Sequence, residues 1–248
     1  MLILLPPSEG KAPRGTSKLR RLSFPELASP REKVLDALIA LSESGQAQSV
    51  LGLSDGQAAA IDLNRELRTA PNLPVSDLYT GVLYDNLGLS TLPSDAKARA
   101  TRRIVVFSGL WGLLRLGDRV PPYRLSMGVR LPPMGGLAAF WKPYVAEALD
   151  PVKGLVVDLR STTYAAAWQP GERAVTVRVL REVSGTRTVV SHMAKATRGA
   201  VARSLVECPD RVGTARQLAE FLTERGHRAE LGNPPRPGRP WTLDVIVS

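Results

Sequence analysis

The sequence contains very little cysteine and histidine, and this limits the chemistry that it can support. One cysteine, Cys208, occurs among 248 residues, so the chain cannot form an internal disulfide or a zinc site with several thiolate ligands. The two histidines, His192 and His227, are far apart and have no carboxylates at ligand spacing. We therefore expect no metal site, no cofactor and a reducing, cytoplasmic compartment.

Long apolar runs are also missing. The first residues, MLILLPPSEGK, contain four apolar residues after Met1, then prolines, and no basic leader. This pattern predicts a first β-strand instead of a signal peptide or a membrane span. The hydrophobic fraction of 44% is ordinary for a protein with a substantial core.

Positive charge is in excess. The chain has 33 Lys and Arg against 23 Asp and Glu, a formal net charge of +10, which favours acidic partners such as nucleic acid. Most of the cations are arginines, which suit two-pronged contacts to phosphates or bases. A GC-rich genome produces the same arginine bias without any function, and composition does not decide between the two interpretations.

Helices and strands alternate in the predicted element order. The capping-box pattern Ser29-Pro30-Arg31-Glu32 predicts a helix that ends near Gly45. Further helices are predicted over 74–89, 95–103, 137–149, 193–206 and 214–225, and strands over 104–107, 155–159, 174–183, 187–191 and 241–247. The helix over 137–149 is expected to break or begin afresh near Pro143. We predict an α/β (mixed α+β) fold in one compact domain over 1–248, with helices around a mixed sheet.

A helical hairpin is predicted around VLGLSDGQAAAI. Gly52 lies between two apolar residues, and Ser54 with Gln57 forms a second capping box at the start of the next helix. Such an element has the shape of a helix-hairpin-helix, whose backbone N–H groups can bind a DNA phosphate. An ordinary helix-turn-helix packing corner is the alternative.

Three predicted strands end in small polar residues. RIVVF runs into Ser108, LVVDL into Arg160 and Ser161, and RTVVS into His192. If the strands are parallel in one sheet, their polar ends lie together and can form a single ligand site. The alternative is that the Ser and Thr residues at these ends only cap the helices that follow. The helix after RTVVS carries three cationic residues, Lys195, Arg198 and Arg203. They form either a face that binds an anion or a face that is simply solvated.

The segment SGLWGLLRLGDRVPPYRLSMGVRL, residues 108–131, combines apolar and basic residues. We interpret it as a loop that presents side chains to an anion while Gly109 and Gly112 allow close backbone approach. Its candidate ligand contacts are Ser108, Arg115, Tyr123, Arg124 and Arg130. The alternative is a core corner in which Trp111 packs and the arginines pair with Asp118.

This segment resembles the signature of the YaaA peroxide-stress protein family, which has an SGLYG element followed by LRP and YRLEMG. PPSEGK is similar to the family's SPAK-like start, DLYTG to its YxG element, VVDLRSTTY to NLASxEY, and MAKATRGAVAR to its AKxARG helix. These five elements occur in order over nearly the whole chain.

The resemblance implies a compact α/β fold, a helix-hairpin-helix-like element, and binding of duplex DNA in a positively charged cleft. It also implies a contribution to survival of hydrogen peroxide by limiting free iron and damage to DNA. Two elements depart from the family pattern: PPSEG places Glu9 beside the cleft, and LRLGD replaces LRPLD at Leu116-Gly117. The candidate cleft residues are Ser8, Lys11, Tyr79, Ser108, Arg115, Tyr123, Arg124, Arg130, Ser161, Tyr164, Lys195, Arg198 and Arg203.

Two other functions are compatible with the same residues. The first is an enzyme that acts on a nucleotide or nucleobase-like small molecule in an enclosed polar pocket, although no catalytic pair can be assigned. The second is a protein-interaction scaffold. A long open basic groove would favour DNA, whereas a pocket of a few hundred Å³ would favour a small molecule.

Overall fold

The computed structural model describes residues 1–13, 15–17, 22–189, 192–209 and 212–247, in which helices and strands alternate. The ten α-helices of these residues are α1 (Ala28–Glu43), α2 (Ala47–Leu51), α3 (Ala59–Arg65), α4 (Val75–Leu78), α5 (Val82–Leu87), α6 (Ser94–Arg103), α7 (Leu137–Leu149), α8 (Thr162–Ala165), α9 (His192–Glu207) and α10 (Ala215–Glu224). Their strands are β1 (Leu2–Leu5), β2 (Leu73–Pro74), β3 (Ile104–Ser108), β4 (Gly112–Leu114), β5 (Arg119–Val120), β6 (Arg130–Leu131), β7 (Gly135–Gly136), β8 (Val156–Asp158), β9 (Ala174–Val183), β10 (Thr186–Val189), β11 (Arg228–Gly232) and β12 (Trp241–Val247).

An eight-stranded mixed sheet forms the centre of the molecule. Its order is β11-β12-β9-β8-β1-β3-β4, and β10 pairs with β9. Strands β3, β1, β8, β9 and β12 are parallel, so Leu4 lies between Val105 of β3 and Asp158 of β8. Strands β4, β10 and β11 are antiparallel to their neighbours. The predicted mixed α/β fold is confirmed.

The central strands are buried on both faces, as is usual for parallel sheets covered by helices. Every residue of β1, β3 and β8 is buried. The longest of these three strands, IVVFS, has three β-branched residues followed by Phe107 and is apolar until its last residue, and this composition favours a strand in a fully covered sheet. In the part of the chain that the structure describes, no helix is both long enough and apolar enough to cross a bilayer.

One helix start was predicted wrongly, and one strand was not predicted. The capping box predicted at Ser29 does not form, because a 3₁₀ turn (Pro25–Leu27) leads directly into α1 and places Ser29 inside the first helical turn. Strand β11 was not predicted, since its residues alternate only between exposed and partly buried. Backbone pairing with β12 forms this strand, and a sequence pattern does not show such pairing.

The predicted helix over 74–89 is two short helices, α4 and α5, separated by Tyr79-Thr80-Gly81. Gly81 has φ +95°, a conformation that interrupts a helix. The break lets the backbone at Tyr79 bridge to Lys11: Ala12 N–H donates to Leu78 O at 2.8 Å. The loop after β1 is thereby tied to the DLYTG element.

The glycines of the segment 108–131 serve its own packing. A Cβ at Gly109 would lie 2.7 Å from the carbonyl oxygen of Leu125, and a Cβ at Gly112 would lie 2.7 Å from the ring of Trp141. Trp141 Nε1 also donates to Gly109 O at 2.8 Å. We predicted that these glycines let the backbone approach a ligand. In the structure they instead let the backbone pack closely against another part of the same segment, at Leu125, and against α7, at Trp141.

Helix α9 packs against α5 at Gly199. A Cβ at this position would lie 2.2 Å from the carbonyl oxygen of Leu83 and 2.8 Å from Cβ of Asn86. We predict that Gly199→Ala lowers the free energy of unfolding by about 1–3 kcal/mol, because the backbones must separate. The gain of about 1 kcal/mol in helix propensity is too small to offset this loss.

Urea denaturation followed by circular dichroism measures the effect. Gly45→Ala is the matched control, because no atom lies within 4 Å of a Cβ there and the residue has no positive φ. Equal stability of the two variants would contradict the close packing of α9 on α5.

Candidate anion-binding cleft

The carboxyl ends of β1, β3 and β8 lie at the same edge of the sheet, because these strands are adjacent and parallel. Ser108 ends β3, and Arg160 and Ser161 follow β8, so two of the three predicted polar strand ends share this edge. Open α/β sheets bind ligands at such edges.

The third predicted strand end behaves differently. Strand β10 is antiparallel to β9, so its carboxyl end points in the opposite direction. Val190, Ser191 and the side chain of His192 lie outside the described residues. The helix that follows, α9, nevertheless places Lys195 and Arg198 at the shared edge.

A cleft of about 400 Å³ opens at this edge. Its lining comes from the loop after β1, the start of α5, the segment 108–131, the loop after β8, and α9. Seven of the predicted site residues line it, namely Ser8, Lys11, Arg124, Ser161, Tyr164, Lys195 and Arg198. Four of the seven are cationic, whereas Glu9 is the one carboxylate among the described lining residues.

Lys11 is held in place inside this cleft. Its Nζ donates to Ser8 O at 2.8 Å and lies 4.5 Å from the ring centroid of Tyr123 and 5.5 Å from that of Tyr79. Burial, together with repulsion from Arg124, lowers the pKa of Lys11 to about 7, although Glu9 opposes the shift. The amine is therefore partly uncharged at neutral pH.

Arg124 reaches the cleft from the segment 108–131. A guanidinium nitrogen lies 3.1 Å from Glu9 Oε2, and the side chain of Glu9 is 79% exposed, so the pair is open to exchange with a ligand. Buried Asn64 fixes the backbone here: Arg124 N–H donates to Asn64 Oδ1 at 2.8 Å, and Asn64 Nδ2 donates to Arg124 O at 2.9 Å. No motif or spacing in the sequence indicated this role for Asn64.

A chain of buried hydroxyl groups lies behind Lys11. The hydroxyl of Tyr123 is 2.7 Å from Ser108 Oγ and 2.8 Å from the hydroxyl of Tyr79. Burial raises the pKa of both tyrosines, so both phenols stay protonated. We expected Tyr123, Tyr79 and Ser108 to meet the ligand directly, but they are 2%, 3% and 0% exposed and are not among the residues that line the cleft. The two tyrosine rings instead lie against Lys11.

Arg198 lies between two cavities. It lines the cleft and also a second cavity of about 460 Å³ that contains Trp168 and Arg239. Its Nε–H is buried and donates to no acceptor among the described residues. Burial lowers the pKa of Arg198, and the carboxylate of Asp158 opposes this shift. Unsatisfied donor capacity next to a cleft is available to an anion.

Three predicted site residues lie away from the cleft. Arg115 donates to the carbonyl of Ile104 at 3.2 Å, which places it at the amino end of β3. Arg130 is exposed in β6. Arg203 pairs with Glu207 at 2.9 Å on another face of α9. The structure gives Arg115 and Arg203 contacts within the fold, and it does not bring any of the three to the cleft.

A buried ion pair that lines the second cavity was not predicted. Arg160 Nε is 2.8 Å from Asp158 Oδ1, and its second nitrogen is 2.6 Å from Oδ2. The guanidinium also donates to Trp168 O at 2.8 Å and lies 4.1 Å from the Phe107 ring centroid. The D-x-R spacing directly after a buried strand was the available signal.

The predicted hairpin is present as α2, Gly52 in the left-handed conformation, and a 3₁₀ turn that leads into α3. The capping box forms, with Ser54 N–H donating to Gln57 Oε1 at 3.3 Å. Gln57 also lines a cavity of about 150 Å³ that Lys11 and Arg124 share, so the hairpin adjoins the cleft.

Across the described residues, no group of three or more His, Cys, Asp and Glu side chains is arranged to hold a metal ion. Cys208 is buried. Apart from the carboxylate of Glu9, the charged and hydroxyl side chains that line the cleft are ammonium, guanidinium and hydroxyl groups, which can donate hydrogen bonds to an anion.

Comparison with known proteins gives consistent matches along the chain. The model of a family described as peroxide stress protein YaaA matches residues 1–230. A UPF0246 protein of Streptomyces coelicolor is 48% identical over 258 residues, covering all of this chain and 98% of that protein. UPF0246 proteins of Corynebacterium efficiens and Corynebacterium glutamicum are 41% and 42% identical, each over 100% of both chains.

Proposed function

The chain belongs to the YaaA peroxide stress protein family, and we propose that it acts in the peroxide response by binding duplex DNA through the cleft. Bound protein would limit iron-dependent oxidative damage to the DNA. The observation that supports this proposal is the convergence of four cations, Lys11, Arg124, Lys195 and Arg198, from three separate parts of the chain on one cleft.

Electrostatics favour an anionic ligand at this position. Gathering like charges is unfavourable in the free protein, and a phosphate backbone would relieve the repulsion. The formal net charge of +10 adds a long-range attraction to DNA. Glu9 is 79% exposed and can turn away from Arg124 when a phosphate arrives.

The hairpin of α2 and α3 is proposed as a second contact. It adjoins the cleft through Gln57, and backbone N–H groups at its turn can bind a phosphate. Asp55 lies in the same turn and accepts a hydrogen bond from Gln48 at 2.7 Å, so a carboxylate is close to that phosphate position. The cleft is therefore the principal contact in this proposal.

We predict that binding to a fluorescein-labelled duplex, measured by anisotropy, is salt-sensitive and weakly dependent on sequence. With about four to six phosphates contacted, a plot of log affinity against log salt should have a slope of about −4 to −5. Salt-independent binding, or no binding at ~50 mM salt, would contradict the proposal.

A double variant assigns the binding to the cleft. Lys195→Ala with Arg198→Ala should reduce the steepness of the salt slope by about 2 and weaken binding at least about tenfold at low salt. Lys33→Ala with Lys153→Ala removes the same charge from exposed positions elsewhere and should have a small effect. Circular dichroism melting of both variants distinguishes lost contacts from lost folding.

An enzyme acting on a nucleotide-like small molecule is the second candidate function. A cleft of about 400 Å³ at the carboxyl edge of parallel strands favours it, because this volume is typical of small-molecule sites. A thermal-shift screen of nucleotides tests this candidate. Stabilisation by a mononucleotide, without binding to duplex DNA, would favour the enzyme.

A further inference from the structure

Lys11 differs from the other cations of the cleft in how it is held. It follows β1 by six residues, and its backbone bridges to that of Tyr79. Its Nζ is fixed by Ser8 O at 2.8 Å and lies against the rings of Tyr79 and Tyr123. Lys195, by contrast, is exposed on α9. The Lys11 amine therefore has a defined position in a partly dry environment.

Burial and the nearby guanidinium of Arg124 favour the neutral form of the Lys11 amine. Burial contributes most to its lowered pKa, Arg124 adds repulsion, and Glu9 is the one carboxylate that opposes the shift. Lys195, Arg198 and Tyr164 line the same cleft, and the phenols of Tyr79 and Tyr123 stay neutral. The lowering of the Lys11 pKa to about 7 makes the uncharged amine, with its free electron pair, accessible near neutral pH.

The remaining groups of the cleft suit an anionic partner. Arg124, Lys195 and Arg198 supply guanidinium and ammonium donors, and Arg198 Nε has no hydrogen-bond partner among the described residues. Phosphate is well matched to such a set of donors. The cleft thus combines an anion-binding set with a positioned amine, and an uncharged amine in such a site reacts with carbonyl carbons.

We propose that Lys11 forms an imine with an aldehyde that carries phosphate, while Arg124, Lys195 and Arg198 hold the phosphate. The Nζ electron pair attacks the carbonyl carbon, the C=O π electrons move to oxygen, and a proton passes from nitrogen to that oxygen. Loss of the oxygen as water, with a second proton, leaves a C=N bond, so the reaction needs no oxidant or reductant. The inference deepens the proposed function, since it rests on the cleft as an anion site.

Two sources can supply this ligand chemistry. An abasic site in DNA exposes a sugar aldehyde between two phosphates, and oxidative damage to DNA creates such sites. A free sugar phosphate such as glyceraldehyde 3-phosphate offers the same two groups in a small molecule. Both fit the requirement for a phosphate close to an aldehyde.

Borohydride trapping tests the proposal. The full chain is incubated at pH 7 with an abasic duplex or with glyceraldehyde 3-phosphate, reduced with sodium cyanoborohydride, and mapped by peptide mass spectrometry. The adduct should lie on Lys11, and its yield should fall at least about tenfold in Lys11→Arg, which keeps a cation but has no comparable nucleophile. Lys33→Arg, at an exposed position, should retain the full yield.

The trapping experiment has results that support the proposal and results that contradict it. Trapping with one probe alone supports the proposal and identifies the source of the aldehyde. No adduct with either probe, an equal yield on Lys33 and Lys11, or an undiminished yield in Lys11→Arg would overturn it. Mapping of the unaltered protein keeps the test valid if Lys11→Arg misfolds. Binding of an intact duplex is measured in parallel, so loss of DNA binding with retained trapping would remove the proposed DNA function and leave this inference standing.

Discussion

Replacing Trp111 by alanine is expected to lower the free energy of unfolding by about 3–5 kcal/mol, because it leaves a large cavity in the core. The side chain is fully buried between β3 and β4. Its backbone is also fixed, since Trp111 N–H donates to Ser108 Oγ at 2.9 Å and its carbonyl accepts from Arg31 Nε at 2.9 Å. Urea denaturation followed by circular dichroism measures the loss.

Arg124→Ala is the contrasting variant in the same segment. Its side chain is 22% exposed and pairs with Glu9 at the surface, so its loss should change stability by less than about 1 kcal/mol. Asn64 bonds to the Arg124 backbone and keeps its partners in the variant. Binding of DNA or nucleotide should nevertheless weaken strongly.

The opposite result would identify the segment as a structural corner. If Arg124→Ala were as unstable as Trp111→Ala, and each folded molecule still bound its ligand, then Arg124 would have no part in the site. The two variants therefore test separately whether SGLWG stabilises the core and whether the YRLSMG element binds the ligand.

The parts of the fold that depend on apolar pattern were predictable. Helix α7 has the predicted bounds, but it runs through Pro143 without the predicted break. Strand β3 extends the predicted strand by the single residue Ser108. In a buried segment the apolar residues recur every 3.6 residues in a helix and every two residues in a half-buried strand, or form a continuous run in a fully buried strand. These patterns can be read directly from the sequence. The start of α1 was less determined, because proline at position 30 is tolerated anywhere in a first helical turn.

The positions of the polar residues were predictable only in part. Lys11, Arg124 and Lys195 were expected to share one site, and the structure places them around one cleft. Arg115 and Arg203 were assigned to the same site on the strength of their charge. Their guanidinium groups instead donate to backbone carbonyls, of Ile104 for Arg115 and of Leu87 for Arg203, and such partners depend on tertiary packing.

The proposed chemistry depends on these tertiary contacts. Lys11 belongs to the polar stretch SEGK, which alone predicts a solvated lysine with an ordinary pKa. The rings of Tyr79 and Tyr123 come from two other parts of the chain and create the dry environment. A reactive amine is therefore a property of the folded protein and not of the motif.

Replacing Asp158 by alanine is expected to lower the free energy of unfolding by about 3–5 kcal/mol, because it leaves a buried guanidinium without its counter-ion. The side chain of Arg160 has 0% exposure, and both of its bonds to Asp158 are short, at 2.8 and 2.6 Å. Arginine does not lose its proton at accessible pH, so the variant cannot neutralise the charge. Thermal and urea unfolding monitored by circular dichroism measure the effect.

A double variant shows whether Asp158→Ala destabilises the fold because Arg160 is left with an unpaired charge or because side-chain packing is lost. Asp158→Leu with Arg160→Met removes both charges at similar volume, and exchange of a buried ion pair for apolar side chains is often neutral or stabilising. The double variant should therefore recover most of the stability that Asp158→Ala loses. Its recovery will be incomplete, because Trp168 O loses the hydrogen bond from Arg160 and the Phe107 ring loses its cationic neighbour. If the double variant were as unstable as Asp158→Ala, the hydrogen bonds of Arg160 at the second cavity would stabilise this part of the fold, and compensation of its charge would not.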